Sequence, residues 1–291
     1  MDTLELIKKV RKLEIKTKGI STQVFSGEYH SAFKGRGMSF SEVRNYQYGD
    51  EVKAIDWNVT ARTGIPHVKV FEEERELTVM LIADGSNSVF FGSGSQLKNE
   101  FVAELCAVLA FAANQNNDKV GLILFSEEVD LYIPPKKGRK HILRIIRELI
   151  NHKPASKGTD IGNALKFFNN VIHKRSICFL LSDFLAKPFD TSLAISAKRH
   201  DLIGVQLIDP LEKELPKLPL VRVRDSETGS IRLLDLSNKR VRDQLENNFQ
   251  EKREKVKTTF FKSGADLIEL NTDQPYHNKL FSFFKRRSSH K

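Results

Sequence analysis

LTVMLIADGSNS, residues 77–88, is an apolar run from Leu77 to Ala83 that ends in a polar cluster. The run has the length and β-branched content of a strand buried on both faces, as in a parallel sheet covered by helices. Asp84, Ser86 and Ser88 follow at alternate positions. Ligands of an open α/β sheet gather beyond the carboxyl ends of its strands. A carboxylate and two hydroxyls at that place form an oxygen-rich half-cup suited to a hard divalent cation.

Working outward, strand and helix patterns alternate from Leu77 to about Ile208. Phe101, Leu105, Val108, Leu109 and Ala112 recur at helical spacing and predict a helix over 96–114. KVGLILF (119–125) reads as the next buried strand, and 129–133 as a short strand paired with it. Apolar stripes predict helices over 142–150, 161–172 and 193–198, with strands at 176–181 and 202–208. The expected fold is α/β, a doubly wound, mostly parallel sheet with right-handed crossovers. Beyond Asp209-Pro210, the patterns at 220–224 and 230–235 form a hairpin joined by Asp225–Gly229. A charged helix covers 237–262, an edge strand 266–270 and a last helix 276–284, and the tail from Lys285 reads as disordered.

The lead-in differs in character. Residues 4–18 read as an amphipathic helix stopped by Gly19. Residues 20–76 are rich in glycine and aromatics, Phe25, Tyr29, Phe33, Phe40, Tyr46, Tyr48 and Trp57 among them. Gly49-Asp50 signals a hairpin turn. Ile55, Trp57, Val59 and Ala61 alternate with polar residues, which is strand periodicity. In one reading Trp57 fills a small core and Arg62 pairs with Asp50 or Asp56; in the other Asp56, Trp57 and Arg62 form a binding surface. The expected division is 1–76 for the helix and β-rich elaboration, 77–209 for the α/β domain, and 210–291 for an extension that completes the sheet and carries a basic tail.

Composition narrows the function. The chain has 291 residues, 40% hydrophobic and 29% charged, enough to bury a core and too apolar for a disordered chain. No apolar run approaches the roughly 18 residues that span a bilayer, and the N-terminus has no uninterrupted apolar segment of a secretory signal. A cytoplasmic location is expected. Cys106 and Cys178 fall in apolar patterns and read as buried small hydrophobes rather than zinc ligands. The net charge of +10 is concentrated near the start, at Lys136–Lys140 and at the end. These patches read as solvated surface or as attraction for an anionic surface. No aromatic-interleaved recognition motif accompanies them, so specific nucleic-acid binding is not expected.

Two further loops carry oxygen donors at the same edge. Gly158-Thr159-Asp160 precedes a helix, and Ser182-Asp183 ends a strand. With Asp84, Ser86 and Ser88, this set resembles the metal-ion-dependent adhesion site of von Willebrand factor A domains. Upstream, Tyr46, Gly49-Asp50, Ile55-Asp56-Trp57 and Ala61-Arg62 resemble the family called domain of unknown function 58, many of whose members carry transmembrane helices before this region. The resemblance implies a cation held by Asp84, Ser86, Ser88, Thr159 and Asp183, with Mg²⁺ first and Mn²⁺ or Ca²⁺ also compatible. Hydroxyl ligands add no charge, so the metal stays electrophilic and keeps an open position for an acidic ligand from a partner. Candidate partner contacts are Asp56, Trp57, Arg62, Asn87 and Asp160.

Proteins resembling this family are associated with MoxR-type AAA ATPases. The resemblance therefore implies a non-enzymatic adaptor acting with such an ATPase, or on a client protein. This chain has no G-x-x-x-x-G-K-[ST] loop of its own. A metal-dependent hydrolase is the rival. Against it, no histidine lies in the three loops, the residue two after Asp84 is Ser86 rather than a second carboxylate, and there is neither a G-x-S-x-G nor an H-E-x-x-H grouping. Binding of nucleic acid or an anionic surface through the basic patches is the third reading.

Overall fold

The computed structural model describes residues 8, 10–14, 16–17, 19–20, 39–72, 76–93, 97–154, 158–224 and 230–289. The chain divides into two compact units, one formed by Lys34–Leu77 and one by the rest.

In the smaller unit, β1 (Ser39–Asn45) pairs antiparallel with β2 (His67–Glu72). Between them lie a 3-10 turn (Val52–Ala54) and the short helix α1 (Trp57–Thr63). The alternation at 55–61 thus belongs to a helix, not to the expected strand. The cause is local. Asp56 Oδ1 accepts from Asn58 N (3.0 Å) and Val59 N (3.3 Å), an N-cap that fixes the first turn. At the other end Gly64 takes φ 74°, the left-handed C-cap. Ile55 alone keeps an isolated bridge to Val68. Gly49-Asp50 is a turn, but β1 and β2 are joined by the whole α1 segment rather than by a tight hairpin there. Asp50 and Asp56 pair with Arg44 (2.7 Å) and Lys69 (3.4 Å) instead of Arg62. Trp57 is 66% exposed, so it fills no core.

In the larger unit, residues 10–14 and 16–17 are helical, and so are Gly19 and Ile20, past the expected stop. A glycine ends a helix by turning left-handed, and Gly19 does not take a positive φ. Residues 4–7, the aromatics Phe25, Tyr29 and Phe33, and the Asp225–Gly229 turn lie outside the described residues.

The sheet has six strands: β3 (Thr78–Asp84), β4 (Lys119–Phe125), β5 (Val129–Lys136), β6 (Ile177–Ser182), β7 (Asp201–Ile208) and β10 (Asp266–Asn271). Their spatial order is β10-β7-β6-β3-β4-β5, parallel except for β5, which runs antiparallel to β4. This is the doubly wound sheet expected from the sequence. The helices are α2 (Lys98–Gln115), α3 (Arg139–Asn151), α4 (Ile161–Val171), α5 (Asp190–Arg199), the single turn α6 (Pro210–Lys213), α7 (Lys239–Ser263) and α8 (His277–Ser289). β8 (Leu220–Arg224) and β9 (Ile231–Asp235) form the expected hairpin.

Period-two alternation distributes the strand side chains to two faces. Met80, Ile82, Ile123, Phe125, Cys178 and Leu180 point to one face, against Leu165 and Phe168 of α4, Leu193 of α5 and Phe260 of α7. On the other, Phe179 meets Phe284 of α8 edge-on at 6.4 Å, and Phe101 of α2 meets Tyr276 at 5.5 Å. Both cysteines are buried and free, and burial pushes both thiols well above their ordinary range. The tail is helical to Ser289 rather than disordered. Arg287 anchors it by ion pairs to Asp201 and Asp266.

β3 is the pivot of this arrangement. The chain passes from β3 to β4 on one side, then crosses to β6 on the other. The winding therefore reverses between β3 and β6, and the crevice of a doubly wound sheet opens at the carboxyl ends of those strands. The residues that end them are Asp84 and Ser182.

Candidate metal centre

Asp84 is 2% exposed. Its Oδ1 accepts from Ser86 N (2.9 Å) and its Oδ2 from the Ser182 hydroxyl (2.6 Å). The first bond turns the chain sharply after β3 and starts a 3-10 turn over Asn87–Phe90. That turn brings the hydroxyls of Ser86 and Ser88 to 3.0 Å from each other, both buried. On the neighbouring strand Ser182 Oγ also accepts from Phe184 N (2.9 Å), and Asp183 Oδ1 from Leu185 N (3.1 Å). The loop after β6 is thereby fixed with Asp183 4% exposed.

Thr159 is buried on the loop before α4. Asp160 N donates to Ser126 O (2.9 Å) at the end of β4, which ties this loop to the same sheet edge. Asp160 itself caps α4, its Oδ1 accepting from Asn163 N (2.8 Å). Its carboxylate is thus occupied in holding the helix. Asn87 is half-buried at the start of its 3-10 turn. Asp56, Trp57 and Arg62 belong to the smaller unit, where Asp56 is a buried helix cap while Trp57 and Arg62 are exposed.

Electrostatics define the centre further. Burial pushes the Asp84 carboxyl up to about 7, and the like charge of Asp183 adds to the rise, against the hydrogen bonds of Ser182 and Ser86. Lys98, the first residue of α2, is fully buried. Its ammonium stands 2.6 Å from Glu212 Oε1 and 3.4 Å from Asp183 Oδ2. Burial alone would lower its pKa, but these two carboxylates outweigh burial and raise it. Glu212 Oε2 accepts from Asp209 N (2.9 Å) in the capping box of α6. Burial raises Glu212 while Lys98 lowers it.

With all three ionised, the carboxylates of Asp84, Asp183 and Glu212 exceed the single ammonium of Lys98 by two negative charges in this buried crevice. A proton on Asp84 relieves half of that charge, and a divalent cation would relieve all of it. Among the described residues no three His, Cys, Asp or Glu side chains form a metal-holding group by themselves. The donors of this cup are two carboxylates mixed with hydroxyls, the all-oxygen chemistry that fits a hard cation.

Lys98 and Glu212 were not among the residues singled out from sequence, although each leaves a trace there. Lys98, Phe101, Val102 and Leu105 stand at the spacing of one helix face, which puts a lysine on the apolar stripe. Asp209-Pro-Leu-Glu212 has the spacing of a capping box. His152 was missed because only the fold brings it near. Its Nε2 lies 3.2 Å from Asp130 Oδ2 without a hydrogen bond between them, and the ring fills the space beside Gly85, where a Cβ would meet Nε2 at 2.4 Å. A cavity of about 10 Å³ lies among Asp84, Gly85, Val102, Leu149 and His152, room for about one water.

Gly85→Ala therefore displaces either the imidazole or the metal loop. We expect it to weaken magnesium binding about tenfold, and His152→Ala to restore most of that loss in the double variant. Non-additivity of this kind is the mark of side chains in contact. Independent, additive effects would show that the loop does not rest on the histidine.

Residues 42–255 match the family described as protein of unknown function DUF58. The uncharacterized protein Rv1480 of Mycobacterium tuberculosis is 28% identical over 99% of this chain and 91% of its own length. Uncharacterized protein YeaD of Bacillus subtilis is 29% identical over 38% of this chain and 25% of its own length. Among solved structures, the conserved hypothetical protein BatB of Bacteroides thetaiotaomicron superposes with a TM-score of 0.48 at 16% identity, covering 74% of this chain and 100% of that one. No helix among the described residues is long and apolar enough to cross a membrane. With the match extending over most of its length, this chain belongs to the DUF58 family.

Proposed function

We propose that the chain is a non-enzymatic, metal-dependent protein-binding adaptor, working with a MoxR-type AAA ATPase in the assembly, folding or maturation of a client. The observation that carries the reading is the buried oxygen cluster at the point where the sheet winding reverses. Asp84, Asp183, Ser86, Ser88 and Thr159 would hold the cation, Mg²⁺ first. Lys98 pairs with Asp183 and is itself held by Glu212. A bound cation supplies an electrophilic site for a carboxylate of the partner. The ATPase supplies the energy, since this chain has no phosphate loop.

A catalytic role is disfavoured by the residue types of the three metal loops, which contain no histidine. Lys98, the buried amine beside Asp183, is committed to two carboxylates.

The test is capture of the MoxR-type ATPase of the same cell by the tagged chain. We expect capture in magnesium, loss in EDTA, and loss with Asp84→Ala in magnesium. Equal recovery in all three arms would remove the metal from the interaction.

A further inference from the structure

We infer that the large cavity beside the metal centre is the docking groove for an acidic partner segment carrying an aromatic or large aliphatic side chain, one carboxylate of the same segment completing the metal. The inference deepens the reading above and rests on it.

The cavity has a volume of about 490 Å³, the size of a pocket that takes more than one large side chain. It adjoins the metal centre directly, because Gly158 and Thr159 form one wall. Its floor is apolar and is made by Phe184, Phe189 and Val256. Phe184 follows Asp183 in sequence and takes φ 60°, a left-handed conformation that a bulky residue rarely adopts. Packing holds it there: its ring lies 5.8 Å from Phe189 and 5.1 Å from Phe260. The loop that presents the metal ligand therefore also lays the floor of the groove.

The rim is cationic. Lys252 and Lys255 of α7 stand three apart, on one helix face. Both are exposed, and neither has an ion-pair partner among the described residues. Lys187 completes the rim and pairs with Glu127 at 3.1 Å, with both side chains about half exposed. Such a surface pair exchanges readily for another carboxylate. Among the described residues the lining contains a single carboxylate, Asp190, which accepts from the Thr259 hydroxyl at 2.8 Å.

Three ammonium groups over an apolar floor call for an occupant with both negative charge and apolar bulk. A bare anion would leave the floor uncovered, and an uncharged apolar segment would leave the lysines unmatched. A peptide of Asp or Glu flanking Phe, Tyr, Trp or Leu meets both, and its backbone is long enough to place one carboxylate at the metal beside Thr159.

The test uses a random peptide library of about nine residues, selected on the full chain in magnesium and eluted with EDTA. We expect enrichment of Asp or Glu next to one large apolar residue. Against the selected peptide, the double variant Lys252→Glu, Lys255→Glu should bind at least about tenfold more weakly, the size of effect that charge reversal at a binding rim produces. Its magnesium affinity, measured by calorimetry, should be unchanged. Replacing the apolar residue of the peptide by alanine should cost about tenfold as well.

Normal magnesium binding with unaltered peptide binding in the lysine variant would overturn the groove and leave the metal reading standing. Absence of magnesium binding in the wild type would overturn the metal reading, and this inference with it. Peptide binding that persists in EDTA would overturn the link between groove and metal. Selection of basic or featureless peptides, together with lysine-dependent binding of an oligothymidylate, would overturn the peptide occupant in favour of nucleic acid.

Discussion

Lys98→Ala is expected to lower the stability of the folded chain by about 3–5 kcal/mol, the cost of removing one partner from a buried ion pair. The lysine is fully buried, with carboxylates at 2.6 and 3.4 Å. Its removal leaves Glu212 and Asp183 facing each other without a countercharge, next to an already crowded Asp84. Urea unfolding in EDTA measures the loss. Added magnesium should recover more stability in the variant than in the wild type, because the deleted charge makes the crevice more negative. A loss below about 1 kcal/mol, the range of exposed pairs, would mean that the ammonium is screened by solvent.

Asp84→Asn is expected to act in the opposite direction without metal. The Asp84 carboxyl is pushed up to about 7 from its ordinary 3.8. Between those values the native state holds a proton that the unfolded state has lost. Metal-free stability therefore falls as pH rises from about 4 to about 7, by about 1.4 kcal/mol per unit for a single fully shifted group. Asparagine removes the charge and keeps an amide oxygen for Ser86 N. In EDTA at pH 8 we expect the variant to be more stable than the wild type by up to about 4 kcal/mol, and less dependent on pH. In magnesium the order should reverse, because the cation stabilises the wild type alone. A wild type that is the more stable in EDTA at pH 8 would show that burial does not strain this carboxylate.

The central sheet was legible because each strand is a short run of almost unbroken apolar residues bounded by turn chemistry. Lys119–Phe125 has the bounds expected from sequence. The lead-in was not legible, since alternation and a helix turn are hard to separate over seven residues. At 55–61 the decision lay with Asp56 and Gly64, the cap and the stop, rather than with the apolar spacing. The tail was misjudged because charge was read as solvation, whereas Arg287 finds Asp201 and Asp266 on distant strand ends.

The candidate site divides in the same way. The Asp84, Ser86, Ser88 stretch is local and could be read directly. The sheet topology then brings Asp183 to the adjoining strand end. Lys98, Glu212 and His152 reach the centre through helix packing and one capping box, which pairwise spacing in sequence records only weakly.

In the proposed function this crevice holds one divalent cation. The most direct measurement is calorimetric titration of magnesium into the EDTA-treated, dialysed full chain above pH 7, beside Asp84→Asn. We expect one ion per wild-type chain, an affinity that falls as pH drops below about 7, and no binding to the variant. No heat from the wild type, or the same isotherm from both proteins, would contradict that proposal.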